Sequence, residues 1–331
     1  MKIPSSVSSL ERISNFILKT PLIKSERLSS PAQNVYLKLE NMQKTGSFKA
    51  RGALNKIYNL DLVDEIVAAS SGNHGAAVSY ALKTKNISGK IYVPQSAKKS
   101  KIDKIESYGS EVVVFGDDCL DAEYEAMRYS RENNCVFVSP YNDVDVISGQ
   151  GTLGVELYDQ LPDIDGVFIT VGGGGLISGI GHYLKSLNPN IQVIGCSPKN
   201  SSVMINSLDK SDIVNTISKD TLSDGSAGGV ENGSITHDLC KRYIDKTCLV
   251  NEQEIALQIS KTLKHEKIIV EGAAAVAIAS FTKMRKDIRY LKNIVIIVCG
   301  GNIGKETLKS VLWIKKSIQK RKSLRPLMAL I

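Results

Sequence analysis

Val167-Phe168-Ile169-Thr170-Val171-Gly172-Gly173-Gly174-Gly175-Leu176-Ile177-Ser178-Gly179-Ile180 joins an apolar β-branched run to four consecutive glycines and then to an apolar helix-period segment. Strand, tight turn and helix in that order form the repeating unit of an α/β protein with a parallel sheet. The turn's N–H groups would point into a concavity at a helix N-terminus, which suits an anion. Glycine lets that anion approach the backbone without side-chain obstruction. A dinucleotide fingerprint needs glycines at the first, third and sixth places, and here Ile177 occupies the sixth. No Gly-Lys-Ser/Thr triplet follows, so a Walker-type loop is unsupported as well.

Working outward, the second informative stretch is Ser47-Phe48-Lys49-Ala50-Arg51-Gly52. A lysine alone says little, but with the glycine turn it describes a site for an aldehyde cofactor that carries a phosphate. The lysine would form an imine and the turn would hold the anion. Pyridoxal phosphate fits that description.

Strands are expected at residues 35–40, 65–69, 90–93, 111–115, 135–139, 167–171, 192–196 and 293–299. Between them, helices are expected at 73–85, 98–107, 120–132, 152–160, 176–187, 252–265 and 272–284. This alternation predicts mostly parallel sheets flanked by helices. Residues 59–143 read as a small inserted α/β domain closed by Ser139-Pro140-Tyr141-Asn142-Asp143; 1–58 and 144–331 together form a larger cofactor-binding domain. Residues 209–246 are weakly periodic and contain Ser223-Asp224-Gly225-Ser226-Ala227-Gly228-Gly229, a turn-rich loop of the kind that lines sites.

A chain of 331 residues with 42% hydrophobic content can bury one large or two medium cores. The formal net charge of +8 does not indicate nucleic acid, because the basic residues are dispersed among acids and aromatic content is only 6%. The densest basic run, from Lys315 to Arg325, reads as a solvated terminal segment. Cys119, Cys135, Cys196, Cys240, Cys248 and Cys299 lack paired short spacings, which predicts free thiols in a reducing compartment. Met1-Lys2-Ile3-Pro4-Ser5-Ser6 has no apolar targeting core, and no run is long enough to span a membrane. A cytoplasmic protein with neither membrane nor nucleic-acid partner is expected. His74, His182, His237 and His265 are too scattered to build a metal motif from local spacing, so no metal is expected.

Five motifs in order carry a family resemblance: Lys38-Leu39-Glu40-Asn41 leading to Gly46-Ser47-Phe48-Lys49-Ala50-Arg51-Gly52; Ser70-Ser71-Gly72-Asn73-His74-Gly75; Gly149-Gln150-Gly151-Thr152; Gly172 to Gly175; and Cys299-Gly300-Gly301-Asn302. Across about residues 10 to 315 the chain resembles the fold-type II pyridoxal-phosphate enzymes, the tryptophan synthase β-like fold, and within them the serine/threonine dehydratase and serine racemase branch. The resemblance implies two catalytic residues, Lys49, which carries the cofactor and then removes the substrate α-proton, and Ser71, which faces the substrate from the opposite side and would reprotonate it in a racemase. Phe48, Asn73, Gly172, Gly173, Gly174, Gly175, Leu176, Glu271 and Cys299 are implied to bind the cofactor, Asn73 by a hydrogen bond to the cofactor's phenolic oxygen. Ser70, Ser71, Gly72, Asn73, His74 and Gly225 are implied to bind substrate, although a buried His74 supporting its loop is an equal reading.

Cys299 stands where many relatives have a serine at the pyridine nitrogen, and Ser197 and Val203 stand where some have carboxylates for a divalent cation. Arg128 is read as a surface residue in preference to a partner for a second substrate carboxylate. The implied reaction is β-elimination of a small 3-hydroxy amino acid, L-threonine or L-serine, to a 2-keto acid and ammonia, by a homodimer. Racemisation on the same site and dehydration of a rarer substrate such as 3-hydroxyaspartate are the alternatives.

Overall fold

The computed structural model describes residues 2–312 apart from 62 and 215, so the basic run from Lys315 to Arg325 lies outside the described residues. In chain order the elements are α1 (Ser6–Ile13), β1 (Leu22–Lys24), β2 (Asn34–Leu39), α2 (Lys49–Tyr58), β3 (Glu65–Ala69), α3 (Asn73–Lys85), β4 (Ser88–Val93), α4 (Lys99–Glu106), β5 (Glu111–Val114), α5 (Cys119–Glu132), β6 (Val136–Phe137), α6 (Val144–Gln160), β7 (Gly166–Thr170), α7 (Gly175–Leu187), β8 (Gln192–Pro198), α8 (Val203–Ser207), α9 (Ile235–Tyr243), β9 (Lys246–Val250), α10 (Glu252–Glu266), α11 (Gly272–Met284) and β10 (Asn293–Val298).

These strands form two sheets. One has six strands in the order β1-β2-β10-β7-β8-β9, and the other four in the order β5-β4-β3-β6. Every pairing is parallel except β1 with β2 at the edge of the larger sheet. Parallel strands covered on both faces need continuous apolar runs, which is why Asn293-Ile294-Val295-Ile296-Ile297-Val298 and Gly166-Val167-Phe168-Ile169-Thr170 are buried along almost their whole length. Helix α11 is apolar all round, with Gly272 to Phe281 buried, and packs against β7, β8, β9 and β10. Each fully buried aliphatic side chain in such a layer stabilises by about 1.5–3 kcal/mol.

Three differences from the sequence expectation have physical causes. The helix expected at 152–160 begins at Val144, because Gly149 and Gly151 mark close helix packing and not a loop. A Cβ at Gly149 would sit 2.7 Å from the Arg51 carbonyl oxygen of α2, and one at Gly151 would sit 3.0 Å from the Gly179 carbonyl oxygen of α7. The strand expected at 135–139 shrinks to Val136–Phe137, since only these residues pair with β3 at the sheet edge. Helices α1, α2, α8 and α9 and strands β1 and β9 were absent from the expectation; α2 in particular hides behind the functional motif around Lys49.

Candidate active site

The carboxyl ends of β7 and β10, the start of α2 and the start of α3 converge on one cleft. Its lining includes Phe48, Lys49, Asn73, Tyr141, Gly172 to Gly175, Leu176, Gly225, Glu271 and Cys299. The structure thus brings together residues from positions 48 to 299 that the sequence placed only by motif.

Lys49 is the first residue of α2. The backbone before it is fixed to the end of β10, with Phe48 N donating to Cys299 O at 3.0 Å and Ser47 bridging to Gly300. Its Nζ donates to Pro140 O at 2.6 Å and lies 5.3 Å from the centre of the Phe48 ring. Burial pulls the Lys49 amine down to about 8, an effect that Cys299, Glu123 and Glu271 only partly offset. An amine near 8 holds a substantial neutral fraction at physiological pH, as a nucleophile toward an aldehyde and a base toward carbon both require.

Beneath Lys49 lies a buried ion network. Arg51 reaches Glu40 with Nε and Nη2, both at 2.8 Å, and Glu156 with Nη1 at 2.8 Å and Nη2 at 3.0 Å. Lys38 Nζ joins at 2.6 Å from Glu156 and 2.8 Å from the Thr20 carbonyl. Two cations meet two carboxylates, so the cluster is neutral. With Arg51 two residues from Lys49, it anchors the first turn of α2 to β2 and α6.

Opposite Lys49, Gly172 to Gly175 form the turn into α7. Gly174 has a φ of +86°, which disfavours side chains, and a Cβ there would lie 2.7 Å from Cys240 Sγ. A Cβ at Gly173 would run into the Tyr141 ring, and one at Gly172 would stand 2.9 Å from the Ser226 carbonyl oxygen. The glycines therefore keep open a cradle bounded by Tyr141 and Ser226, at the N-terminus of a thirteen-residue helix. A phosphate fits this cradle, and an aldehyde fits the buried amine facing it, so the residues present suit pyridoxal phosphate.

Between amine and cradle, Asn73 Nδ2 donates to Glu271 Oε1 and Oε2 at 2.9 and 3.1 Å, and Asn302 N donates to Glu271 Oε2 at 3.1 Å. Burial pushes the Glu271 carboxyl up to about 7. The Cys299 thiol is raised well above its ordinary value by burial and by Glu271, so it stays protonated and able to donate.

Of the remaining expected residues, Ser70 Oγ accepts from Gly72 N at 3.0 Å and shapes the loop that leads to Asn73. Ser70, Ser71 and Gly72 precede Asn73 on this loop and, unlike Asn73, are not among the described residues that line the cleft. His74 is buried, with Nε2 2.8 Å from Val138 O, and burial followed by the Lys49 charge holds it down to about 3. A neutral ring bonded to the chain behind the loop supports the loop. Arg128 pairs with Glu125 and Glu132 on the exposed face of α5. Ser197 Oγ donates to Val171 O at 2.7 Å. Tyr141, Thr170, Ser226 and Ala273 also line the cleft and were missed by the sequence reading. Tyr141 sat in a segment read only as a closing turn, yet its hydroxyl accepts from Glu231 N at 3.0 Å and its ring walls the cradle.

Comparison with known proteins gives a consistent picture. Residues 13–300 match the family model described as pyridoxal-phosphate dependent enzyme. The L-threonine ammonia-lyase of Thermotoga maritima is 41% identical over 295 residues, which cover 88% of this chain and 73% of that protein. The catabolic L-threonine dehydratase of Escherichia coli K12 is 36% identical, covering 90% of this chain and 92% of that one. Among solved structures, maize serine racemase superposes with a TM-score of 0.87 at 30% identity, covering 96% of this chain and 99% of its own. Threonine deaminase isoform 2 of Solanum lycopersicum gives 0.87 at 33% identity, covering 92% and 91%.

Proposed function

The chain belongs to the pyridoxal-phosphate dependent enzymes, and from that premise we propose that it is an ammonia-lyase, converting L-threonine or L-serine to a 2-keto acid and ammonia by β-elimination. The observation that carries this reading is the buried Lys49 amine, lowered to about 8, facing a glycine cradle at a helix N-terminus. The names of the threonine ammonia-lyase and dehydratase relatives supply the substrate class.

In this reading Gly172 to Gly175 and Leu176 would hold the cofactor phosphate, Phe48, Asn73 and Glu271 would lie beside its ring, and Cys299 would offer its thiol to the ring nitrogen. Bound there, the cofactor supplies an electron sink for charge that develops at the substrate α-carbon. Lys49 Nζ takes the α-proton, and the β-hydroxyl would leave as water with a proton supplied by the phosphate held at Gly172 to Gly175, which the proton taken up by Lys49 makes good over the turnover. Ser70, Ser71, Gly72 and Asn73 receive the substrate carboxylate at the start of α3, where N–H groups and the helix dipole favour an anion. His74 braces that loop from behind, and Gly225 covers the cleft. The enamine that leaves hydrolyses in water to the keto acid and ammonia. A cytoplasmic homodimer completes the proposal; the six described cysteines are free, four of them buried.

Keto-acid release from L-threonine, L-serine and L-threo-3-hydroxyaspartate, measured in parallel with a Lys49→Ala control, tests this. Release from threonine or serine that vanishes in the control is expected. Cofactor bound with no release from any of the three would overturn the reading.

A further inference from the structure

Lys104 on α4 has no place in the function so far, yet it begins a chain of hydrogen bonds that ends in the cleft. Its Nζ donates to Asn302 Oδ1 at 2.8 Å and to Thr45 O at 2.9 Å. Asn302 Nδ2 donates to Asn73 Oδ1 at 2.7 Å and to Thr45 O at 3.0 Å. Asn73 Nδ2 donates to both Glu271 oxygens. Lys104 and Asn73 stand on helices flanking the four-stranded sheet, whereas Asn302 and Glu271 follow β10 and precede α11 of the six-stranded one. The chain therefore crosses between the two sheet units at each of its three links.

An ammonium has donors and no acceptor, and an ionised carboxylate has acceptors and no donor. A side-chain amide is close to symmetric in shape, so packing alone does little to choose which end is oxygen. With an ammonium at one end and, above the value of about 7 that Glu271 takes, a carboxylate at the other, the polarity of both amides between them is set. Asn302 must turn its oxygen to Lys104, Asn73 must turn its oxygen to Asn302, and the Asn73 amino group is thereby left on the side of Glu271, which lines the cleft. Thr45 O accepts from both Lys104 and Asn302 and favours the same arrangement. No other donor to Asn302 Oδ1 occurs among the described residues.

We infer that Lys104 is a positioning residue, which acts through Asn302 to present the Asn73 amino group to the cofactor whenever α4 is closed onto the other unit. Burial lowers the Lys104 pKa and Glu271 partly restores it. The inference needs the cofactor but not the identity of the amino acid consumed, so its test reads the cofactor directly.

Apo-protein is titrated with pyridoxal phosphate at pH 8, following the absorbance and fluorescence of the bound cofactor, for wild type, Lys104→Met, Lys104→Arg, Asn302→Asp and the Lys104→Met/Asn302→Asp double variant. Charge-assisted hydrogen bonds are worth enough that Lys104→Met should weaken cofactor affinity about tenfold, with a shifted absorbance maximum and a lowered kcat. Lys104→Arg, also donor-only, should recover affinity to within about threefold of wild type. Asn302→Asp keeps an acceptor for Lys104 but loses the donor to Asn73, so it should reproduce the spectral shift, and the double variant should be little worse than either single one. Wild-type affinity and spectrum in Lys104→Met would overturn the inference. So would failure of Lys104→Arg to rescue, or additive losses in the double variant. Should Lys104→Met not fold, Asn302→Asp with an unshifted spectrum overturns it equally.

Discussion

Replacing Glu156 by Gln tests the buried network beneath Lys49. The carboxylate is 3% exposed and accepts from two cations that are themselves fully buried, Lys38 at 2.6 Å and Arg51 at 2.8 and 3.0 Å. In the variant Arg51 keeps its two bonds to Glu40, but the cluster carries an uncompensated positive charge away from water. Removing one partner of a buried pair costs about 3–5 kcal/mol, and because two cations lean on Glu156 the upper part of that range is expected. Against a total stability of about 5–15 kcal/mol the protein still folds, but with little margin. At a slope of about 3 kcal/mol per molar urea, the unfolding midpoint of the apo-protein should fall by about 1–2 M in a circular-dichroism titration. Adding Lys38→Met to Glu156→Gln restores neutrality, leaving the Arg51–Glu40 pair. The double variant should then be more stable than the sum of the two single losses implies, by at least about 2 kcal/mol. A loss under about 1 kcal/mol for Glu156→Gln, or strictly additive losses in the double variant, would refute the reasoning.

Other expectations concern the cleft. Because Lys49 is lowered to about 8, the rate at which apo-protein captures pyridoxal phosphate should rise with pH and level off above about 9; a rate still climbing beyond pH 10 would indicate an ordinary lysine. Gly173→Ala drives a methyl group into the Tyr141 ring and should weaken cofactor binding at least about tenfold, measured by fluorescence titration, with a smaller effect from the companion Gly173→Ala/Tyr141→Ala protein, in which the ring is gone. Glu271 has a raised value of about 7, so its neutral form is favoured by folding. Its contribution to stability is therefore greatest below the unfolded value near 4.5 and declines as pH rises toward 7. In apo-protein, Glu271→Gln should flatten that decline by about 2.5 kcal/mol, read from urea midpoints at pH 5 and pH 8.

Much of this was legible in the chain because it is local. The strand, glycine turn and helix from Val167 to Ile180 can be read within fourteen residues, and β3, α3 and α11 were bounded as expected because their apolar periods are uninterrupted. Lys49 was visible through its motif, although α2 was not, since a functional stretch rich in small and charged residues lacks a clean helical stripe. Tyr141, Lys104 and Asn302 gain their meaning only from contacts across the two sheet units, and no spacing in the sequence reports that Lys104 meets a residue 198 positions away. Gly149 and Gly151 misled for the opposite reason: their local signal says turn, while their tertiary contacts say tight helix packing.

The most direct test gives L-serine to the holoenzyme and follows pyruvate, ammonia and D-serine together through time. Elimination by Lys49 is expected to yield pyruvate and ammonia in equal amounts with D-serine a minor product. Accumulation of D-serine without pyruvate would contradict the proposed reaction while leaving the cofactor site in place.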